Sequence, residues 1–303
     1  MEIIKNISII FISIFFESLP FLLLGSLISA IIETYVSDET IAKIIPKNKV
    51  LGSIVGILLG FFIPACDCAV IPISKRLLKK KVPINVAISF MLASPIINPV
   101  VLLSTYYAFY NSNPKIFYYR LILGVLISLI IGVVMALIFK DKDVTINNSD
   151  IKCKHCHHHE NKHTFKNDFL SIINHCTLDF FDVVKYLMFG ALIASLTQVL
   201  LPRDILNIFN NNQVLSIIIL MLFAYLISLC STSDSFVGKS LLSSFSSSSI
   251  VAYLLLGPMI DIKNTIVLLG NYKKSFTITL ILLIFIIIFI TSLVVTYIWK
   301  ISI

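Results

Sequence analysis

How this chain folds turns on two stretches, Leu92-Ala93-Ser94-Pro95-Ile96-Ile97-Asn98-Pro99 and Leu255-Leu256-Gly257-Pro258-Met259-Ile260-Asp261. Each lies inside an apolar run, at 84–109 and 249–270, long enough to cross a bilayer. Proline removes a backbone N–H and clashes with the preceding turn, so each run is expected to break partway and free carbonyls. In lipid, broken backbone survives only against protein or a wet cavity. The two stretches match: Pro95 falls on Pro258 and Asn98 on Asp261. Toward the N-terminus, Cys66–Leu78 matches Cys230–Leu242, with Lys75 on Lys239, and Phe16–Ala30 matches Phe181–Ser195, with Glu17 on Asp182 and Gly25 on Gly190. The offsets are 163, 164 and 165 residues, so the chain reads as a duplication. Interrupted segments at matching places in two halves point to a transport site at their junction. The plainer reading is a pair of ordinary proline kinks. Whether the halves are parallel or inverted stays open at this level.

Composition sets the medium. Of 303 residues, 57% are hydrophobic and 13% charged, with a mean hydropathy of +0.96, against about 45–50% and about 25% in soluble domains. This excludes a soluble enzyme, a disordered chain and a nucleic-acid-binding module. Apolar runs lie near 7–32, 50–65, 84–109, 117–139, 181–201, 214–230, 249–270 and 276–299. They are continuous, unlike the alternating ten-residue segments of a membrane barrel. The first contains Glu17 and lacks a convincing small-residue cleavage site, so it is expected to be a span rather than a secretory signal. The expected fold is all-α: a polytopic membrane protein of about eight transmembrane helices, in two homologous four-helix halves with broken helices at the repeat interface. Residues 1–139 form the first repeat, 140–179 a Cys/His-rich linker and 180–303 the second repeat. With Arg120 and Lys263 read as loop residues, 14 Lys and Arg lie on the side of the termini and linker and 9 on the other. The bias places termini and linker in the cytoplasm, in a multi-pass plasma-membrane protein.

The polar residues inside the runs are the candidates for function. A carboxylate in a span is costly and normally faces a cavity, a partner or a proton path. Glu17 and Asp182 are therefore proton-coupling candidates, with a solvated interfacial position as the alternative. Lys185 is placed to pair with Asp182 at i,i+3. Cys66-Asp67-Cys68 sets two thiols one residue apart at the end of a short run. Thiolate favours soft ions such as copper(I) and zinc, and trivalent arsenic shares the chemistry. In the second half Cys230-Ser231-Thr232-Ser233-Asp234 keeps one thiol, a third sulfur ligand, and replaces the other by hydroxyls and a carboxylate. The substrate path is thus expected to be lined by Cys66, Asp67, Cys68, Ser94, Pro95, Asn98, Pro99, Cys230, Ser231, Ser233, Asp234, Gly257, Pro258, Asp261 and Asn264. Against this stands simple packing of small buried cysteines.

Pro64, Cys66, Cys68 and Pro72, then a basic stretch, then Phe90, Ala93, Pro95, Ile96, Asn98 and Pro99, resemble the ArsP-type predicted permease family, which includes the organoarsenical efflux permeases. Gly257-Pro258 with Asp261 and Asn264 is similar to a second block of that family. The resemblance spans the chain. It implies about eight spans, a plasma-membrane location and export of trivalent organoarsenicals, and one branch with a His-rich middle loop is assigned to copper and zinc efflux. Ala69 stands where many members carry glycine.

The linker holds Cys153, His155, Cys156, His157, His158, His159 and His163, five histidines and two cysteines within eleven residues. Such a tract suits zinc, copper or nickel; the alternative is a plain linker that binds metal incidentally. The C-x-x-C-H spacing also fits haem attachment, which a cytoplasmic linker without a folded surround does not favour. No cofactor is expected to be required. Ser243–Ser249 reads as a turn. The chain has no P-loop, so the expected function is gradient-coupled export of a thiophilic metal or metalloid, not enzymatic catalysis. The rivals are copper or zinc efflux, a membrane thiol–disulfide oxidoreductase, and a subunit dependent on a membrane or extracytoplasmic partner. The expected partners are the bilayer and the soft substrate, with no nucleic acid.

Overall fold

The computed structural model describes residues 2–35, 46, 48–63, 65–139, 144–145, 165–200 and 212–301. Among them every regular element is a helix, twelve in all. The first six are α1 (Glu2–Tyr35), α2 (Lys49–Phe62), α3 (Asp67–Lys79), α4 (Ile84–Ile97), α5 (Pro99–Phe109) and α6 (Lys115–Ile138). The second six are α7 (Phe165–Leu200), α8 (Gln213–Ile227), α9 (Ser231–Leu241), α10 (Ser247–Met259), α11 (Ile262–Asn271) and α12 (Lys274–Ile301). The short helices start in step: α2 and α8 are 164 residues apart, α3 and α9 164, α4 and α10 163, α5 and α11 163. Helix α7 reaches back to Phe165, into the stretch read as linker.

The outer helices show why the medium is lipid. On α12 the buried face is Phe276, Leu280, Ile284, Ile288 and Ser292, while Ile278, Leu282, Ile286, Ile290 and Val294 are exposed. Both stripes have helical spacing and, Ser292 aside, both are apolar, which marks a membrane helix rather than the two-faced helix of a soluble domain. Helix α6 repeats the pattern, with Tyr118, Ile122, Leu126 and Ile130 exposed. At the centre stand the two broken helices. Every residue of α4 is buried, as is every residue of α10 from Ser248 onward. Helix α2 reaches α4 through small residues: a Cβ added at Gly60 would meet the Ser94 backbone at 3.0 Å, the close approach that glycine permits between membrane helices.

Among the described residues, length and composition alone mark fewer crossings than the expected eight. Five helical stretches are long and apolar enough to cross: α1, α6, α7, α10 with α11, and α12. A sixth forms if α4 and α5, bent by 40° at Asn98, count as one span. Helices α2 and α8 have 14 and 15 residues, about 21 Å of helix against roughly 30 Å of hydrocarbon. They are shorter apolar helices that stop at the breaks before Cys66 and Cys230.

Contacts across the middle of the chain fix the seam. Helix α1 packs on α7, α3 packs on α1, α4 and α11, and α9 packs on α5 and α10. Ala69 of α3 lies against α1, where a Cβ on Gly25 would come within 2.7 Å of it. At the matching place on α7, Gly190 lies against the backbone of Lys263.

Candidate transport site

The site is built from helix breaks. Helix α2 ends at Phe62, and Ser94 Oγ of α4 donates to the carbonyls of Ile63 and Ala65, each at 3.4 Å, receiving acceptors that the break sets free. Cys66 is the N-cap of α3 and Cys230 the N-cap of α9. Between α8 and α9, Ser228 adopts the left-handed conformation at φ 51° and ψ 47°. A residue with a side chain pays strain there, a feature that gathers at functional sites. Asn98 caps α5, accepting from Val100 N at 3.0 Å. Asp261 caps α11 through Oδ1, which accepts from Asn264 N, and its carbonyl accepts from Thr265 Oγ1 at 2.7 Å.

Three of these breaks surround one cavity of about 40 Å³, room for more than the roughly 10–15 Å³ that a single water needs. It is lined by Ile14, Glu17, Ser18 and Phe21 of α1, by Cys66, Asp67 and Cys68, by Ser228, Leu229 and Cys230, and by Lys263. Cys66, Cys68 and Cys230 are free thiols. Asp67 is buried, and its Oδ1 has no hydrogen-bond partner among the described residues; nor does Ser228 Oγ. Lys263 is buried too, with Nζ 3.7 Å from Asp261 Oδ2, an oxygen that likewise lacks a hydrogen bond. Three helix N-termini, those of α3, α9 and α11, meet here, and their partial positive charge suits the negative side chains seated on them.

A second buried cluster crosses the same seam. Arg120 of α6 is fully buried. Its guanidinium donates to Thr105 Oγ1 at 2.7 Å, Ser235 Oγ at 2.8 Å and the Ser231 carbonyl at 3.3 Å. Ser104 adds bonds to Thr232 O and Ser235 Oγ, both 3.1 Å. Asp234 turns toward α10, where Tyr253 Oη donates to Oδ1 at 3.0 Å. Gly257 leaves room for the other oxygen, since a Cβ there would meet Oδ2 at 2.7 Å.

The structure therefore gathers Cys66, Asp67, Cys68, Cys230 and Glu17 at one cavity. Ser94 stands behind the first break, and Pro95 and Pro258 sit inside α4 and α10. Asn98 and Asp261 serve as helix caps, with Pro99 opening α5. Asn264 is buried in the first turn of α11. Ser231 and Asp234 belong to the second cluster, and Ser233 is half-buried beside it. Asp182 lies elsewhere, exposed and paired with Lys185 Nζ at 2.9 Å. It borders a cleft of Lys75, Arg76 and Asp179. Among the described residues no group of three or more His, Cys, Asp or Glu could hold a metal ion. Cys153, His155, Cys156, His157, His158, His159 and His163 lie outside the described residues, as does Pro64.

Sequence reading missed Lys263, Ser228 and Arg120. Arg120 and Lys263 were placed in loops by their position near the ends of apolar runs; both are inside, 0% and 4% exposed. A lysine two residues after a capping aspartate was the available signal for Lys263.

The profile of a family described as a predicted permease, of the ArsP type, matches residues 3–297. The UPF0718 protein YcgR of Bacillus subtilis (strain 168) is 42% identical over 286 residues, covering 94% of this chain and 95% of its own. A Streptococcus mutans serotype c (strain ATCC 700610 / UA159) protein, whose name describes a subunit of a two-component membrane permease complex, is 39% identical over 267 residues, 88% of this chain and 87% of its own. No solved structure matches significantly. A match over nearly the whole length, on an all-helical chain with apolar outer faces, means that the chain belongs to the ArsP-type predicted permease family.

Proposed function

We propose that the chain is a gradient-coupled permease exporting a thiophilic metal or metalloid species through the cavity at the seam of two repeats. The observation that carries this is the convergence of Cys66, Cys68 and Cys230 with Asp67 and Glu17 on one cavity bounded by three helix breaks. Two neighbouring thiols can take a trivalent organoarsenical by exchanging two As–OH for two As–S bonds, releasing two waters, and can release it by the reverse. Glu17, exposed on α1 at the cavity's edge, is the proton-coupling carboxylate of this reading. The matched starts of the short helices support the duplication. Arg120, Lys263 and the ion-paired Arg76 are buried inside. On the eight-span reading the remaining basic residues divide thirteen to seven in favour of the side of the termini, which supports termini and linker in the cytoplasm.

The test is expression in a host stripped of its own exporters. Protection against trivalent organoarsenicals is expected, and it is lost in a Cys66→Ser/Cys68→Ser variant that still reaches the membrane. Undiminished protection in that variant removes the thiols from the mechanism. A second reading, copper or zinc export, is favoured by the carboxylates at the cavity, Asp67 and Glu17. It expects protection against those metals that falls when residues 153–163 are deleted. The relative named for a two-component complex suggests a partner subunit, and co-purification with a single stoichiometric membrane protein would establish one.

A further inference from the structure

Polar contacts at the helix ends fix which ends share a face of the membrane. Asn85 Nδ2, at the start of α4, donates to the carbonyl of Lys49, at the start of α2, at 2.7 Å. Lys49 Nζ reaches the carbonyl of Ala136, at the end of α6, at 3.4 Å. Helix α3 ends at Lys79 and α4 begins at Ile84, so α3 returns to the face from which α2 sets out. The two form a hairpin of 14 and 13 residues, about 20 Å each, too short to cross roughly 30 Å of hydrocarbon. The same face holds the turn between α11 and α12 and the start of the linker. Ser74 Oγ bonds Tyr272 Oη at 2.7 Å, Lys75 Nζ donates to Asn271 Oδ1 at 2.9 Å, and Lys273 N donates to the Val144 carbonyl at 2.8 Å. The other half points the other way. Asn113, in the turn between α5 and α6, donates to Ser247 Oγ, at the start of α10, at 3.2 Å. Helix α6 separates that turn from Ala136, so α9 ends on the opposite face from α3. Helices α1 and α7 also run antiparallel: Ile14 packs with Ala191 and Ala194, while Ser29 Oγ donates to Asp179 at 2.9 Å.

We propose that the halves are inverted repeats of three crossings each, with α2–α3 and α8–α9 as re-entrant hairpins that enter from opposite faces and close the thiol cavity from either side. The crossings are α1, α4 with α5, and α6 in the first half, and α7, α10 with α11, and α12 in the second. This topology goes beyond the transport-site reading, and only the gating role of the hairpins rests on it. The basic residues agree with it. With Arg76, Arg120, Lys263 and Lys185 of α7 set aside, they divide fifteen to five in favour of the linker face, a steeper bias than the eight-span layout yields. The linker then stays in the cytoplasm and both termini move to the outer side. Cys66-Asp67-Cys68 stands at the tip of the cytoplasmic hairpin and Cys230 at the tip of the outer one, each at the start of the returning helix. Irregular backbone at both tips is tolerated because it lies against protein and a cavity rather than lipid. Inverted repeats that meet at such a site let one carrier show the same ligands to either side in turn. Ser74, Lys75 and Arg76 tie the outer end of the cytoplasmic hairpin to Tyr272, Asn271 and Asp179, and those bonds are the ones that loosen when the cavity opens to the cytoplasm.

The test is labelling of single cysteines with a membrane-impermeant maleimide, in the full-length chain with its six native cysteines replaced by serine. Ser243→Cys, between α9 and α10, is expected to label in intact cells as fully as after permeabilisation. Lys273→Cys, between α11 and α12, is expected to label only after permeabilisation. Both positions are exposed, and eight crossings with a cytoplasmic linker require the reverse at each. If the cysteine-free chain does not fold, reporters joined after α12 of the native chain decide: alkaline phosphatase is expected to be active there and green fluorescent protein dark. Labelling of Lys273→Cys in intact cells, protection of Ser243→Cys, or a fluorescent fusion with inactive phosphatase overturns the inference. Undiminished organoarsenical protection by Cys66→Ser/Cys68→Ser in the exporter-stripped host overturns the transport-site reading and the gating role with it, and leaves the inverted topology standing.

Discussion

Arg120 and Lys263 are both buried cations on the seam between the halves, and they are held in opposite ways. Arg120 fills the space between α5 and α9 with three hydrogen bonds of 2.7–3.3 Å, to two hydroxyls and a carbonyl. Lys263 makes one ion pair at 3.7 Å and borders a cavity. The chemistry of the two side chains explains the assignment. A guanidinium offers a rigid planar fork that locks several acceptors at once, whereas an ammonium is a point charge on a flexible stem. A locked cation joins helices; a loosely held one beside a cavity can be displaced. The seam therefore holds one buried cation tightly and the other loosely.

The sharpest way to break that contrast is to remove each charge in turn. Arg120→Met is expected to destabilise the protein by about 3–5 kcal/mol, because it strands buried polar partners and leaves Asp234 uncompensated. The measurement is the unfolding midpoint of detergent-solubilised protein, or the yield of monodisperse material. Arg120→Lys should rescue only part of the loss, since one ammonium cannot span Thr105, Ser235 and the Ser231 carbonyl together. Lys263→Gln should lower the midpoint much less. Equal losses at the two positions would mean that both cations are structural.

A second comparison runs along one helix. Asp179 and Asp182 are neighbours on α7, yet Arg76 Nη2 of α3 reaches both oxygens of Asp179 at 2.8 Å, and Ser29 Oγ of α1 donates at 2.9 Å. One carboxylate thus ties together α1, α3 and α7, three elements of the cavity region or its support. Asp179→Asn is expected to cost about 1–3 kcal/mol, the range for weakening a part-buried, charge-assisted hydrogen bond. A loss well below that range, read from the same unfolding midpoint, would demote the clamp to a surface contact.

These two pairs also show what the sequence made legible. The paired prolines announced the broken helices because proline's effect is local, and Cys66-Asp67-Cys68 drew attention because a carboxylate at the end of an apolar run normally faces a cavity or a partner. Burial of a charge is not local. Arg120 and Lys263 sit near the ends of apolar runs, where basic residues normally mark a loop. Only the packing of α9 against α5, and of α11 against α7, turns them inward. Asp179 was passed over for the same reason: its partner is 103 residues away in the chain. The count of crossings is less legible, because α2 and α8 are as apolar as the long helices and differ from them only in length.

Asp182 supplies the smallest and most discriminating effect. Its carboxylate pairs with Lys185 one turn along at 2.9 Å, with about half of each side chain exposed (42% and 50%). Such a pair competes with water and with salt, so Asp182→Asn is expected to cost about 0.3–0.5 kcal/mol at most. The loss should shrink further in high salt, where exposed charges are screened. Transport should separate the two matched acids more cleanly than stability does. Glu17→Gln, at the cavity's edge, should abolish pH-driven uptake into inverted vesicles, and Asp182→Asn should leave it intact. If Asp182→Asn instead stops transport without lowering the unfolding midpoint, the proton path runs along α7 and the cleft of Arg76 and Asp179, and the two repeats carry cargo and proton separately.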